Sequence, residues 1–163
     1  MRIILKNKET LLYDDFRFKC CVGKSGTTYY KIEGDKKTPR GIFSLGPVFY
    51  REDRIKNIDT KLRKKKINKS MGWCDDVKSK NYNKLIKINN KIKHEKLFQK
   101  QTYYDVVIPI NYNTKKPKKD KGSAIFIHLT KNYRETLGCV ALKKKDLLIL
   151  LKLINKKTKI EIL

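Results

Sequence analysis

Short runs of apolar, β-branched and aromatic residues, separated by polar or glycine-containing segments, predict a chain built mainly from β-strands. The predicted strands cover residues 16–23, 27–32, 41–50, 103–110, 123–129, 139–142 and 158–163. Two glycines within residues 23–26 predict a hairpin turn between the first two of these strands. Residues 146–154 form the clearest helix, and Asp146 suits its first turn because a carboxylate there complements the helix dipole. The pattern therefore predicts a mainly β protein with minor α content.

Two segments lack this apolar patterning. Residues 51–100 are basic and weakly patterned, and we interpret the charge run at residues 61–66 as a solvated loop. Residues 111–121 are polar and contain a proline, which predicts a surface loop between two buried strands. The chain has no internal repeat, and 163 residues is the length of one domain, so we expect a single domain over residues 1–163.

The apolar runs are too short to cross a membrane, since a spanning helix needs about 20 apolar residues. The first eight residues become charged too early to form a signal peptide. From the sequence alone we therefore expect no membrane span and see no export signal.

The chain is strongly basic, with 41 Lys and Arg against 16 Asp and Glu and a net charge of +25. Such a charge attracts polyanions such as nucleic acid, anionic lipid or acidic wall polymers. Most of the basic residues are lysine, however, whereas residues that read phosphates or bases are more often arginine. We interpret the charge mainly as a coding bias that allows non-specific polyanion attraction, and we expect no specific nucleic-acid partner.

The cysteine and histidine pattern argues against a metal site. The four cysteines include no Cys-x-x-Cys pair, and the two histidines lie 34 residues apart. A zinc site needs closely spaced ligands of these types, so we predict no metal. The chain also lacks the cysteine density of a disulfide scaffold.

One histidine and one cysteine form a candidate catalytic pair. His128 ends a predicted buried strand, and Cys139 begins a short strand eleven residues later. Neighbouring strands can bring the two within hydrogen-bond reach, and an imidazole that takes the thiol proton makes cysteine a good nucleophile. Gly138 allows a sharp turn, so the backbone N–H groups of Gly138 and Cys139 are candidate oxyanion donors.

Three segments around this pair occur in a recognisable order. The first is residues 34–43, which contain Thr-Pro-Arg-Gly-Ile-Phe; the second ends in His128; the third is Thr-Leu-Gly-Cys-Val at residues 136–140. Together they resemble the L,D-transpeptidase (YkuD-type) family over about residues 18–151. Residues 72–76, 94–95 and 104–105 resemble a compact subgroup of that family. Two positions depart from the common form of the family: Leu137 stands where many members have His, and Ala141 where many have Arg or Asn.

The resemblance implies a mixed, mainly β-sandwich fold with a cleft beside the Cys139 strand. It implies acyl transfer through a Cys139 thioester on peptidoglycan stem peptides, with His128 moving protons and no metal or organic cofactor. The product is then a 3→3 crosslink, which belongs to cell-wall biosynthesis. The resemblance further implies a location in the cell envelope or periplasm, whereas the lack of a visible export signal leaves a cytoplasmic location as the alternative.

Four further residues are candidates for the substrate-binding surface. Thr136 either bonds substrate or caps its loop, and Tyr133 lies in the loop between His128 and Cys139. Trp73, beside two aspartates, is a candidate cleft wall, and His94 with Glu95 a candidate second acid/base site or cleft rim.

Two other functions stay open from the sequence. One is hydrolysis, by an L,D-carboxypeptidase or another Cys-His amide hydrolase, although NlpC/P60-type amidases place Cys before His in sequence. The other is a catalytically degenerate basic module that binds anionic wall polymer or nucleic acid.

Overall fold

The computed structural model describes all residues, 1–163, and contains fifteen β-strands and one α-helix. The strands are β1 (Arg2–Asn7), β2 (Thr10–Tyr13), β3 (Phe16–Cys21), β4 (Thr27–Thr28), β5 (Thr38–Pro39), β6 (Gly41–Ser44), β7 (Val48–Tyr50), β8 (Lys64–Lys66), β9 (Met71–Cys74), β10 (Leu85–Lys87), β11 (His94–Lys96), β12 (Val106–Pro109), β13 (Phe126–Leu129), β14 (Val140–Leu142) and β15 (Lys159–Ile162). The helix is α1 (Lys144–Leu153), and no helix of this protein is long and apolar enough to cross a membrane. The predicted mainly β fold with minor α content is confirmed.

Ten strands form one mixed sheet in the order β6-β15-β1-β2-β3-β14-β13-β12-β7-β8. The sheet curls, because a bridge between Leu45 and Ile110 brings the end of β6 to the end of β12, seven places away in that order. A three-stranded sheet, β10-β9-β11, and a two-stranded ribbon, β4-β5, complete the architecture. The curled arrangement agrees with the expected β-sandwich.

The core lies inside the curled sheet, and α1 covers one side of it. Leu147, Leu150 and Leu151 of α1 are fully buried in that core, and the helix contacts β13. Each such leucine contributes roughly 1.5–3 kcal/mol through burial. The helix therefore packs against β13, the strand that carries His128, and supports it.

The predicted hairpin around residues 23–26 is wrong. Only Thr27–Thr28 form a strand in the second half, and that strand pairs with β5 in parallel rather than with β3. The reason is a close approach at Gly23, where a Cβ atom would lie 2.4 Å from the carbonyl oxygen of Lys36. The Gly23 N–H donates to Thr38 Oγ1 (2.9 Å), so the chain turns toward residues 36–38 instead of folding back on β3.

Other expectations also need correction. Residues 41–50 form two strands, β6 and β7, which are separated at Gly46-Pro47. The two strands are not neighbours in the strand order of the sheet. Residues 51–100, in which the weak sequence pattern predicted no strand, contain β8 to β11, and the lysine run expected to be a loop includes β8. The first residues of the chain form β1, which pairs in parallel with β15.

Candidate active site

His128 and Cys139 come from adjacent parallel strands. His128 lies opposite Ala141 in the register between β13 and β14, and Cys139 precedes β14 by one residue. Because side chains alternate along a strand, Cys139 and Ala141 share a face with His128. All three residues line one cavity of about 670 Å³.

Cys139 is held as a neutral thiol in this cavity. Its Sγ donates to the carbonyl oxygen of Ala124 (3.2 Å) and accepts from the Phe126 N–H (3.3 Å). Burial, with a further contribution from the charge of Glu95, raises the pKa of the thiol to about 12. At neutral pH the thiol therefore needs a base before it can act as a nucleophile.

His128 is poised as a neutral base. Its Nδ1 lies 2.9 Å from the carbonyl oxygen of Leu129, which only a protonated ring nitrogen can bond, so Nε2 is left as the proton acceptor. Burial lowers the pKa of the imidazole to about 4, although the Leu129 bond opposes the shift. No hydrogen bond joins His128 to Cys139, since the thiol is bonded to Ala124 instead. The S–H must rotate away from Ala124 before it can reach a base.

A tyrosine and a glutamate stand beside this pair. The Tyr104 ring meets the His128 ring edge to face, with 5.3 Å between centroids. The Tyr104 hydroxyl donates to Glu95 Oε1 (2.6 Å), and both residues line the cavity. Burial raises the pKa of Glu95, and the nearby charges of Asp75 and Glu33 raise it further.

The loop before Cys139 is braced by Thr136. The Thr136 hydroxyl donates to the carbonyl oxygen of Cys139 (2.7 Å) and accepts from the Gly138 N–H (3.1 Å). Gly138 has a φ of +141°, and a Cβ there would lie 3.0 Å from the Lys37 carbonyl oxygen, so only glycine fits without strain. The Gly138 amide, a predicted oxyanion donor, is thus engaged by Thr136, whereas no hydrogen bond engages the Cys139 amide, so the latter is free to donate.

Three of the predicted site residues lie outside the cavity lining. The Tyr133 ring lies between the ammonium groups of Lys19 and Lys143, away from the cavity. Trp73 is buried behind the site and packs edge-on against Phe126. His94 Nδ1 bonds the Ile92 carbonyl oxygen (2.7 Å), so it is its neighbour in sequence, Glu95, that reaches the cavity.

Asn83 is a site-supporting residue that the sequence reasoning missed. Its Oδ1 accepts from Trp73 Nε1 (2.9 Å) and from the Ala124 N–H (3.0 Å), and it is buried. Ala124 has a φ of +53° and supplies the carbonyl that bonds Cys139. Asn83 therefore fixes the bend that positions the thiol. The only sequence signal is an asparagine in a turn, which is too common to indicate this role.

A curled mixed sheet that presents a thiol and an imidazole to one cavity defines a β-sandwich protein with a candidate cysteine–histidine acyl-transfer site. The sequence model of the L,D-transpeptidase catalytic domain (YkuD) matches residues 2–162. The chain therefore belongs to the L,D-transpeptidase family, whose function lies in peptidoglycan chemistry. No curated protein matches the sequence.

Proposed function

We propose that this protein is an L,D-transpeptidase of peptidoglycan stem peptides, with Cys139 as nucleophile and His128 as general base. The observation that carries the proposal is the shared cavity, in which the Cys139 thiol, the free Cys139 amide and an imidazole with a vacant Nε2 converge. Family membership supplies the substrate class. We further propose that the reaction takes place in the cell envelope, where stem peptides lie.

The reaction proceeds through a thioester. As the Cys139 thiol turns from Ala124, His128 Nε2 takes its proton and the sulfur attacks the carbonyl of the third stem residue. The Cys139 N–H donates to the developing oxyanion. The terminal D-alanine then leaves with the proton from His128. An amine of a neighbouring stem next attacks the thioester, which forms a 3→3 crosslink and returns the thiol; attack by water gives carboxypeptidase activity instead.

Both reacting groups begin uncharged. With the pKa of the thiol near 12 and that of the imidazole near 4, neither an ion pair nor a free thiolate forms at neutral pH. Proton transfer must therefore accompany sulfur attack on bound substrate. This arrangement protects the free enzyme from oxidation, because the thiolate is the reactive form of cysteine.

The test is incubation with purified disaccharide-tetrapeptide, followed by intact-protein mass, released D-alanine and muropeptide analysis. We expect wild type to release D-alanine and form 3→3 dimers, and Cys139→Ala to do neither. Cys74→Ala is the matched control, because Cys74 is also a buried free cysteine but does not line the cavity. D-Alanine release that persists in folded Cys139→Ala protein would disprove the proposal.

A further inference from the structure

The cavity wall near Cys139 carries carboxylates in a protein dominated by cations. Four of its 16 acidic residues line the same cavity as the nucleophile, and so do four of its 41 basic residues: the acidic ones are Glu33, Asp75, Glu95 and Glu135, and the basic ones are Lys31, Lys36, Lys93 and Arg134. Acidic residues are therefore half of the charged residues here, a much larger share than in the chain as a whole. Only a carboxylate oxygen without a hydrogen-bond or ion-pair partner can bind a substrate group.

Glu95 is firmly placed yet lacks a cationic partner. It lies in β11 opposite Trp73 of β9, so the three-stranded sheet fixes its backbone. The Tyr104 hydroxyl holds Oε1 at 2.6 Å, and no other side-chain hydrogen bond or ion pair engages the carboxylate. Its second oxygen is therefore available to a ligand in the cavity.

Tyr104 connects this carboxylate to the reacting groups. The tyrosine is buried, its ring contacts the His128 ring, and it packs in the same apolar cluster as Cys139. The position of Glu95 is thus fixed relative to the thiol by one rigid aromatic side chain. The charge of Glu95 is close enough to contribute to the raised pKa of Cys139.

Several other charged groups of the cavity already have hydrogen-bond or ion-pair partners. Glu33 Oε2 accepts from the hydroxyls of Tyr82 and Ser123. Asp75 is 3.6 Å from Lys93, while its Oδ1 is buried and receives no hydrogen bond. The buried cation Lys31 is held by Asp35 (2.5 Å). Glu95 therefore differs from Asp75 in having no cationic partner, and from Glu33 in being held by one hydroxyl only.

We propose that Glu95, held by Tyr104, binds the ammonium group of the acceptor amine and takes a proton from it, so that aminolysis of the Cys139 thioester competes with hydrolysis. This role rests on the proposed function, and it makes Glu95 the residue that selects an amine over water. An ammonium fits because it is a compact donor that satisfies a carboxylate with a vacant oxygen.

The protons balance in this step. The ammonium gives one proton to Glu95, and the resulting amine attacks the thioester carbonyl carbon. The tetrahedral intermediate then loses a second proton from nitrogen to His128, the carbon–sulfur bond breaks, and His128 returns that proton to the Cys139 sulfur. The products are the amide, the thiol and a protonated Glu95, which releases its proton to solvent. The raised pKa of Glu95 makes it a better acceptor of that proton than an ordinary carboxylate.

The first experiment measures how the thioester partitions. Glu95→Gln and Tyr104→Phe are compared with Glu52→Gln, an exposed carboxylate outside the cavity, on disaccharide-tetrapeptide. We expect Glu95→Gln to release D-alanine within about threefold of wild type while its ratio of dimer to tripeptide falls about tenfold or more. Tyr104→Phe should lower the ratio less, and Glu52→Gln should leave it unchanged. An unchanged ratio in Glu95→Gln, or an equal loss of both products, would overturn the proposal.

A second experiment tests the ammonium site without turnover. Wild type and Glu95→Gln are titrated with Nα-acetyllysine and with Nα-acetylnorleucine, which has no side-chain ammonium, and followed by NMR. We expect wild type to prefer the lysine compound about fivefold or more, and Glu95→Gln to lose the preference. Equal affinities in wild type would overturn the ammonium site even if the enzyme is active. A preference that persists without D-alanine release would support the ammonium site and refute the proposed function.

Discussion

Desolvation of His128 links the proposed chemistry to the stability of the fold. The imidazole is folded into the protein in its neutral form, because burial lowers its pKa to about 4. In the unfolded chain the same group has its ordinary pKa of about 6.5. The residue that we propose as the base is therefore also a group whose protonation opposes folding.

We expect acid to destabilise the protein through His128. Between pH 6.5 and about 4 the unfolded chain binds more protons at this position, so the free energy of unfolding falls as the pH falls. In His128→Asn the loss of stability between pH 7 and pH 4 should be smaller by up to about 3 kcal/mol. Urea unfolding at both pH values measures this difference.

His94→Asn is the matched control, because His94 is the only other histidine. It separates the general effect of replacing a histidine by asparagine from the effect of position 128. If His128→Asn and wild type show the same dependence on pH, then His128 is not held neutral in the folded protein.

At the scale of elements, Asn83 joins three separate segments. It bonds Trp73 in β9, Ala124 two residues before β13, and the carbonyl oxygens of Tyr112 and Asn113 through Nδ2 (3.0 and 2.7 Å). The small β10-β9-β11 sheet is thereby tied to the large one. Since that small sheet also carries Glu95, the same amide aligns both sides of the cavity.

Replacing Asn83 should therefore weaken both the fold and the site. We expect Asn83→Ala to lower the free energy of unfolding by about 2–4 kcal/mol, because several buried partners lose their hydrogen bonds. Chemical denaturation measures the loss. Asn81→Ala is the control, since the Asn81 side chain makes no hydrogen bond in the same turn, and should change stability by less than about 0.5 kcal/mol. Equal effects of the two variants would contradict the conclusion that Asn83 links the two sheets.

Local sequence signals account for some elements and not for others. Strand β13 and helix α1 were predictable because their apolar runs are continuous and end in polar residues. Strands β8 to β11 were not, because they are three or four residues long, three of them carry lysines, and they exist only through pairing with distant segments. In the same way, His128 and Cys139 could be found from a short motif. Glu95 could be named only together with His94, and Tyr104 only through the resemblance. Their contact with each other in the cavity could not be predicted, because it depends on the pairing of β11 with β9 and on side-chain packing.

The whole molecule carries a charge that the proposed reaction does not require. A net charge of +25 over 163 residues attracts any polyanion, whereas the cavity is lined by as many acidic as basic residues. We therefore treat polyanion binding as separate from the active site.

We expect this binding to be non-specific and sensitive to salt. The affinity for double-stranded DNA should fall about tenfold or more between 50 and 200 mM salt, because bound counterions are released. It should be the same for unrelated DNA sequences and for Cys139→Ala, which leaves the charge unchanged. Fluorescence anisotropy measures it. A strong preference for one DNA sequence would contradict the expectation.

Strand β8 lies at an outer edge of the large sheet and consists of Lys64, Lys65 and Lys66. An edge strand offers unpaired backbone groups that can add a strand from another molecule. Here such an approach would bring two rows of ammonium groups together, and the repulsion opposes it. Lys66 is in addition held by Glu52 (2.7 Å). The lysines of β8 thus oppose aggregation through this edge of the sheet. The protein should stay dispersed at concentrations where an uncharged edge strand would start fibre formation.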